Sequence, residues 1–382
     1  MNTIYFDNAA TTYPKPDIVY ETMDEVARKY GVNAGRGGYF LANKAGILID
    51  ETRELLAELV NTFDYKSVIF TPSATIALNS VLFGLDLVKG DNIFYSPFEH
   101  NSVLRPLEKL KEKLNINLYE IPFNMETFEY NLDKLEKMYK QHKPSLTVVS
   151  HASNVCGLIA PVKGITEISH KYGGKVLIDG AQTLGLLPVD LKEINCDYYV
   201  FAGHKNLYGP IGVGGVIVNN ENLLEPLIVG GTGSNSEELV MPYEYPGRLE
   251  AGSPNIVAIA GLNAGIKWLS KQENILEKER ELLKTFLRVI GEYPEINVIG
   301  TKDTQRILPV VSCLFEGYTP QDIARLLDQS FNIAVRAGLH CAPKAHKILG
   351  TSLNGTIRIS LGYFNSEKEI LNFGNILDDI YY

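Results

Sequence analysis

The chain has little cysteine. Of its 382 residues only four are cysteines (Cys156, Cys196, Cys313, Cys341), and none stands in a CxxC pair. That spacing gives no disulfide framework. No apolar run reaches the roughly 18–20 residues that cross a bilayer. The first stretch, MNTIYFDNAATTYPKP, has no basic segment leading into an apolar one, so no export signal is expected and the expected setting is a reducing cytoplasm. Positive charge is also short: 36 basic against 45 acidic residues give −9, without a basic stripe. This argues against nucleic acid or an anionic membrane as the partner. Repeats and low-complexity segments are lacking too. What is present is a 45% hydrophobic content with 21% charged residues spread along the chain, enough to bury a core in two lobes.

Short apolar runs alternate with helical patterns through the first two-thirds. SVIF leads to SATIALNSVLFGL, NIFYS to NSVLRPLEKLKEKL, NLYEIPF to NLDKLEKMYKQH and LTVVSHA to VKGITEISHKYG; KVLIDGA, YYVFAGHK and GGVIVN follow. Such alternation predicts an α/β fold with many parallel strands and helices on both faces. Ligands in such sheets sit at the carboxyl ends of the strands. Residues 219–255 read as one long loop, a length usually tied to function or flexibility. After helices predicted over 257–270 and about 273–290, the pattern becomes that of a small α+β lobe. Thr319 and Pro320 start one of its helices, and a capping box of Ser366 with Glu369 starts the last.

Two strand ends carry charge. KVLIDGA ends on Asp179, and YYVFAGHK runs into His204 and Lys205. An ammonium at the end of a buried strand needs a partner, an exit to solvent or a task. A structural salt bridge and a pair of solvated loop residues remain open. So does a pyridoxal phosphate site, where the lysine binds the aldehyde and the acid pairs with the ring nitrogen. Ser73 is a candidate helix cap with Thr75 in the first turn, a place where helix N-termini bind phosphate. His100 follows a strand and suits either solvent or a flat ring. GPIGVGG leads into a strand and does not spell GxGxxG, so a dinucleotide loop is rejected. Cys156, Cys196 and Cys313 read as packing residues. Cys341 stands in a Gly/Pro-bounded loop with Arg336, His340, Lys344 and His346 nearby, and positive neighbours favour the nucleophilic thiolate. HCAPKAH has no second ligand pair, so no metal is expected.

The segments YFDNAATT, SATIALN, EHNS, SHASNVCG, LIDGAQ, FAGHK, RLEAGSPN, RAGLHCA and IRISLGYFN, taken in order, resemble the cysteine desulfurase and selenocysteine lyase group of class V aminotransferases. The resemblance covers nearly the whole chain. It implies a fold type I architecture: a large domain (16–256) with a mostly parallel seven-stranded sheet, and a small α+β domain (1–15 with 257–382) carrying the cysteine loop. It implies pyridoxal 5′-phosphate as cofactor, Lys205 as the Schiff-base lysine, Asp179 as the pyridinium partner and Gln182 at the ring hydroxyl. His100 would stack on the ring and take part in proton transfer. Ala74, Thr75 and His204 would hold the phosphate, with Ser253 reaching it from the other subunit of a homodimer. Asn154, which would also lie by the cofactor, and Arg358 would clamp the substrate carboxylate, Arg336 would lie near the site as a substrate-binding residue, and Cys341 would accept sulfur from L-cysteine for a sulfur-acceptor protein.

The pattern is departed from at Ala202, where serine is usual, at Asn206, which reads as an insertion, and at Leu339, where histidine is common. Other readings of the same residues are a selenocysteine lyase or C–S lyase, an ordinary aminotransferase and a non-catalytic cofactor-binding scaffold.

Overall fold

The apolar runs do form one sheet. The structure is a computed structural model that describes residues 3–34, 38–62, 64–219, 223–233 and 237–382. From edge to edge the seven strands are Val68–Thr71, Gly214–Val218, Tyr198–Ala202, Lys175–Asp179, Leu146–Ser150, Asn92–Tyr95 and Asn117–Glu120. Six run parallel; Gly214–Val218 is antiparallel to both neighbours. The central strands are buried along almost their whole length. Helices cover both faces, which is why these strands read as unbroken apolar runs rather than as alternating ones. The sheet separates two hydrophobic clusters, one containing Phe94, Ile178, Tyr199 and Phe201, the other Tyr95, Val148, Leu177 and Val200. Alternate residues of each strand feed opposite clusters.

A second sheet, wholly antiparallel, runs Ile296–Ile299, Val310–Phe315, Thr356–Ser360, Arg336–Gly338. It has its own core around Phe286, Ile323, Ile357 and Phe373. Its helices start as the sequence indicates. Thr319 caps Pro320–Phe331, and Ser366 and Glu369 form the capping box of Glu367–Tyr381. The chain start lies against this sheet: Ile4–Tyr5 forms a separate two-stranded ladder with Ile333–Ala334, and Asp7 bridges Ser360. Helix Ile256–Leu269, expected in the small lobe, buries Ile256, Ile259, Leu262 and Ile266 in a core of the large sheet. We therefore propose that the division falls after this helix, before Ile275–Ile290. Residues 220–222 and 234–236 of the expected long loop lie outside the described residues. Among the described residues no helix is long and apolar enough to cross a membrane.

Candidate active site

The strands deliver their last residues to one cavity of about 210 Å³, lined by Ser73, Ala74, Thr75, His100, Asn154, Asp179, Gln182, Ala202, His204, Lys205, Arg336 and Arg358 among others. Asp179 is the last residue of its strand. The next strand stops at Ala202, so Lys205 sits in the following turn rather than on the strand itself. Gly180 makes the turn after Asp179 possible, because a Cβ there would lie 2.2 Å from the Tyr199 ring.

Asp179 and Lys205 share the cavity, and no ion pair joins them among the described residues. Burial lowers the Lys205 ammonium to about 8, with Asp179 pulling the other way. Burial likewise raises the Asp179 carboxyl, opposed by the Ala181 N–H and by Lys205.

Beside them Ser73 caps helix Ala74–Gly84, its Oγ accepting from Ile76 N at 3.3 Å, so the helix start lines the cavity. His204 is mostly buried and uncharged, lowered to about 4 by burial and by Lys205 and Lys15. Its Nδ1 is a buried atom without a hydrogen-bond partner. Gln182 lines the cavity but donates from Nε2 to Ala9 O at 2.9 Å. His100 is the N-cap of helix Asn101–Leu114, its Nδ1 accepting from Ser102 N at 3.0 Å. That bond leaves the proton of the neutral ring on Nε2. Burial and the nearby cations Lys205, Arg336 and Arg358 hold His100 down at about 4.

The opposite end is built from the second sheet. Arg358, 1% exposed, donates from Nη2 to Asp7 at 2.6 Å and from Nη1 to Asn154 O at 3.0 Å, while its Nε has no partner. Asn154 Nδ2 donates to His340 O at 2.7 Å. The Cys341 carbonyl accepts from Asn101 N at 2.7 Å, which ties the cysteine loop to the helix that His100 caps. His340 and Cys341 both have left-handed backbone, φ 47 and 57. Such angles cost non-glycine residues about 1–3 kcal/mol each and persist only where contacts impose them.

Of the four expected positive neighbours of Cys341, one meets the sulfur: Arg336 Nη2, at 3.5 Å. Lys344 turns away to the Tyr95 hydroxyl and ring. His340 and His346 are buried and neutral, driven down chiefly by burial. The guanidinium is therefore the one cation of the four that reaches the sulfur. The other three cysteines are buried, as packing predicts.

The description Aminotransferase class-V matches residues 4–373. The chain belongs to the class-V aminotransferase family. A "Probable cysteine desulfurase" of Pyrococcus abyssi (strain GE5 / Orsay) is 35% identical over 386 residues, covering 99% of this chain and 94% of the relative. One from Vibrio cholerae serotype O1 is 31% identical, covering 96% and 91%. The apo structure of a cysteine desulfurase from Thermococcus onnurineus NA1 superposes with a TM-score of 0.92 at 33% identity, covering 99% of this chain and 94% of that one.

The class-V aminotransferases depend on pyridoxal 5′-phosphate, and this chain is such an enzyme. Its residues fit that group. The orphaned His204 Nδ1 beside a capped helix start suits a phosphate, and a buried acid facing a buried lysine suits a charged ring with an aldehyde.

Two expected site residues do not line the cavity: Cys341 meets it through Arg336, and Ser253 lies elsewhere. Ser253 lines a separate space of about 600 Å³ with Thr71, Pro72 and Ile76, so within one chain it does not reach the site.

The sequence reading missed a strap. Thr11 Oγ1, Thr12 N and Lys15 Nζ all donate to His204 O at 3.0, 3.2 and 2.5 Å, and Thr12 Oγ1 donates to Lys205 O at 2.5 Å. Asp7 was missed as well, although YFDNAATT contains it. Nothing in the local pattern says that this segment crosses between the two sheets.

Proposed function

We propose that the protein is a cysteine desulfurase, converting L-cysteine to L-alanine and leaving the sulfur as a persulfide on Cys341 for transfer to an acceptor protein. The observation that carries this reading is the Cys341 sulfur held by Arg336, which lines the same cavity as Lys205 and Asp179. An aminotransferase has no use for that thiol. The names of the relatives support the same reading.

When bound, pyridoxal phosphate supplies an electron sink conjugated to the substrate Cα. The other demands fall on side chains. Ala74, Thr75 and His204 would hold the phosphate, and Asp179 the ring nitrogen. Arg358, through the free Nε–H, would hold the substrate carboxylate together with Arg336 and Asn154. Lys205, with its ammonium brought to about 8, can release and regain a proton near neutral pH and would take it from Cα. His100, neutral with its proton on Nε2, would cover the ring without adding a competing charge. The Cys341 thiolate would attack the substrate sulfur: an S–S bond forms, the Cβ–S bond breaks, and the three-carbon remainder gains a proton at Cβ, regains the one at Cα from Lys205 and leaves as alanine.

The reading includes a homodimer in which Ser253 of a second copy completes the phosphate site. Phe40, Ile47, Val229 and Leu239 stand exposed on the single chain, as uncovered subunit contacts would. Sedimentation that finds only monomers would exclude it.

Cys341→Ala tests the assignment. Loaded with cofactor, it should keep the visible absorbance and lose persulfide formation and alanine release from L-cysteine. Wild-type turnover in this variant would refute the nucleophile. The same variant on L-selenocysteine separates a lyase, because selenide leaves with less help from a thiolate.

A further inference from the structure

The cysteine loop has a support that none of the chemistry above uses. Val155 O accepts from Ser312 Oγ at 2.7 Å. A carbonyl can only accept, so the single proton of the Ser312 hydroxyl is committed there. Thr356 Oγ1 donates to Ser312 Oγ at 2.9 Å, which commits the threonine proton in turn. The other neighbour of Thr356 Oγ1 is His340 Nε2, also at 2.9 Å. That nitrogen has to be the donor. The order of donors therefore fixes the tautomer of His340, with the proton on Nε2 and a bare lone pair on Nδ1.

The chain of donors runs across the second sheet. Thr356 stands opposite Gly338, and Ser312 lies on the strand at the other side of Thr356–Ser360. Ser312 and Thr356 are fully buried and His340 nearly so, which keeps water from competing. The main chain of His340 is held from the same place, since its carbonyl accepts from Asn154 Nδ2 at 2.7 Å. The ring is thus tied to Val155 and the carbonyl to Asn154. A closed circuit grips the residue before Cys341.

We propose that Ser312, Thr356 and His340 are positioning residues for Cys341, a one-directional chain of donors that locks one tautomer of His340 and so fixes the cysteine loop against the Asn154–Arg358 end of the cavity. The proposal rests on Cys341 being the nucleophile. His340 does not serve as acid or base here. Burial, with Arg358, His346 and Arg336 around it, keeps the ring neutral, and its Nδ1 has no partner. The circuit explains how two successive non-glycine residues stay in left-handed backbone.

The test uses cofactor-loaded protein and three variants. Thr356→Val keeps the side-chain shape and breaks the chain of donors. Thr356→Ser keeps it whole. Ser312→Ala takes away the acceptor of Thr356 together with the donor to Val155 O, so the threonine hydroxyl is free to turn towards His340 Nε2 and move the proton to Nδ1. Single-turnover persulfide formation should slow about tenfold in Thr356→Val and Ser312→Ala, the scale set by loss of reactant alignment. In both, the KM for L-cysteine and the visible absorbance should match wild type, and Cys341 should react with a neutral haloacetamide no more slowly than in wild type. Thr356→Ser should behave as wild type. A general packing defect would not separate persulfide formation from the other three readouts.

Persulfide formation at the wild-type rate in folded Thr356→Val or Ser312→Ala overturns the proposal, as does a parallel loss of KM or absorbance. If Thr356→Val fails to fold, Ser312→Ala decides alone. Turnover by Cys341→Ala, in contrast, overturns the nucleophile assignment itself.

Discussion

The two ends of the cavity are made in different ways. At one end Asp179, Lys205 and the helix start at Ala74 come from strand ends and turns of the parallel sheet, and each lies within a few residues of a buried strand. At the other end Arg336 and Arg358 stand opposite each other on adjacent strands of the second sheet, and Arg358 and the cysteine loop are also held by hydrogen bonds from distant parts of the chain: Asp7, the Asn101 N–H, Asn154 and the Ser312–Thr356 pair. Strand ends alone place the first set, whereas a web of long-range hydrogen bonds adds to strand register in holding the second. Variants at the first end should therefore abolish chemistry outright and leave the fold intact. Those at the second end, apart from the nucleophile Cys341 itself, should weaken alignment or binding by smaller factors.

Lys205→Met is the largest test of that difference. It should eliminate the visible absorbance and lower turnover by about 10⁴-fold, the upper range for losing a positioned base. The apoprotein should nevertheless melt at or above the wild-type temperature at pH 7. The folded-state ammonium is held at about 8, below its ordinary value of 10.5, so below about pH 8 the native chain bears the full cost of burying that charge. Methionine removes the cost. A steep fall in melting temperature would mean that Lys205 is a structural residue first.

Arg358→Lys probes the other end with a smaller effect. A lysine keeps the charge but cannot fork to Asp7 and Asn154 O at once, nor offer the free Nε–H. The KM for L-cysteine should rise about tenfold, as expected for lost hydrogen bonds to a charged group, with the cofactor absorbance retained. Loss of the absorbance would show that the two ends are not separable.

The same contrast explains what the sequence disclosed. Lys205 and Asp179 stood out because a charge at the end of an apolar run is costly, and the run itself shows where the strand ends. Ser73 and Ser366 were readable because caps act over three residues. Asp7, Thr12, Lys15 and Thr356 were not, because their partners lie across the fold and no local pattern encodes that crossing. His340 and Lys344 misled for a related reason. Nearness in sequence to Cys341 suggested positive charge at the sulfur, but one ring is buried and neutral and the ammonium bonds to Tyr95. Helix Ile256–Leu269, expected in the small lobe, packs its apolar side chains in a large-sheet core, because by composition that face fits either core.

The smallest expected effect lies outside both ends, at Glu279. This carboxyl is 2% exposed on helix Ile275–Ile290, with the Tyr208 hydroxyl donating to it at 3.4 Å. Tyr208 N in turn donates to Lys205 O at 2.9 Å, so the acid braces the turn behind the lysine without touching the cavity. Burial raises Glu279 from the ordinary carboxyl value of 4.5 to about 8. A raised acid binds its proton more tightly when folded, so it subtracts stability progressively as pH rises through that interval.

Glu279→Gln keeps the shape and removes the titration. The melting temperature of the variant relative to wild type should therefore climb by a few degrees between about pH 4.5 and 8 and stay level on either side, with the cofactor absorbance unaltered. Taking the difference between variant and wild type cancels the opposing contributions of the buried histidines and of Lys15, whose ammonium burial lowers to about 7. A difference that stays flat across the interval would mean that the carboxyl is ionised in the native state, and that the turn behind Lys205 is braced by a charge rather than by a neutral acid.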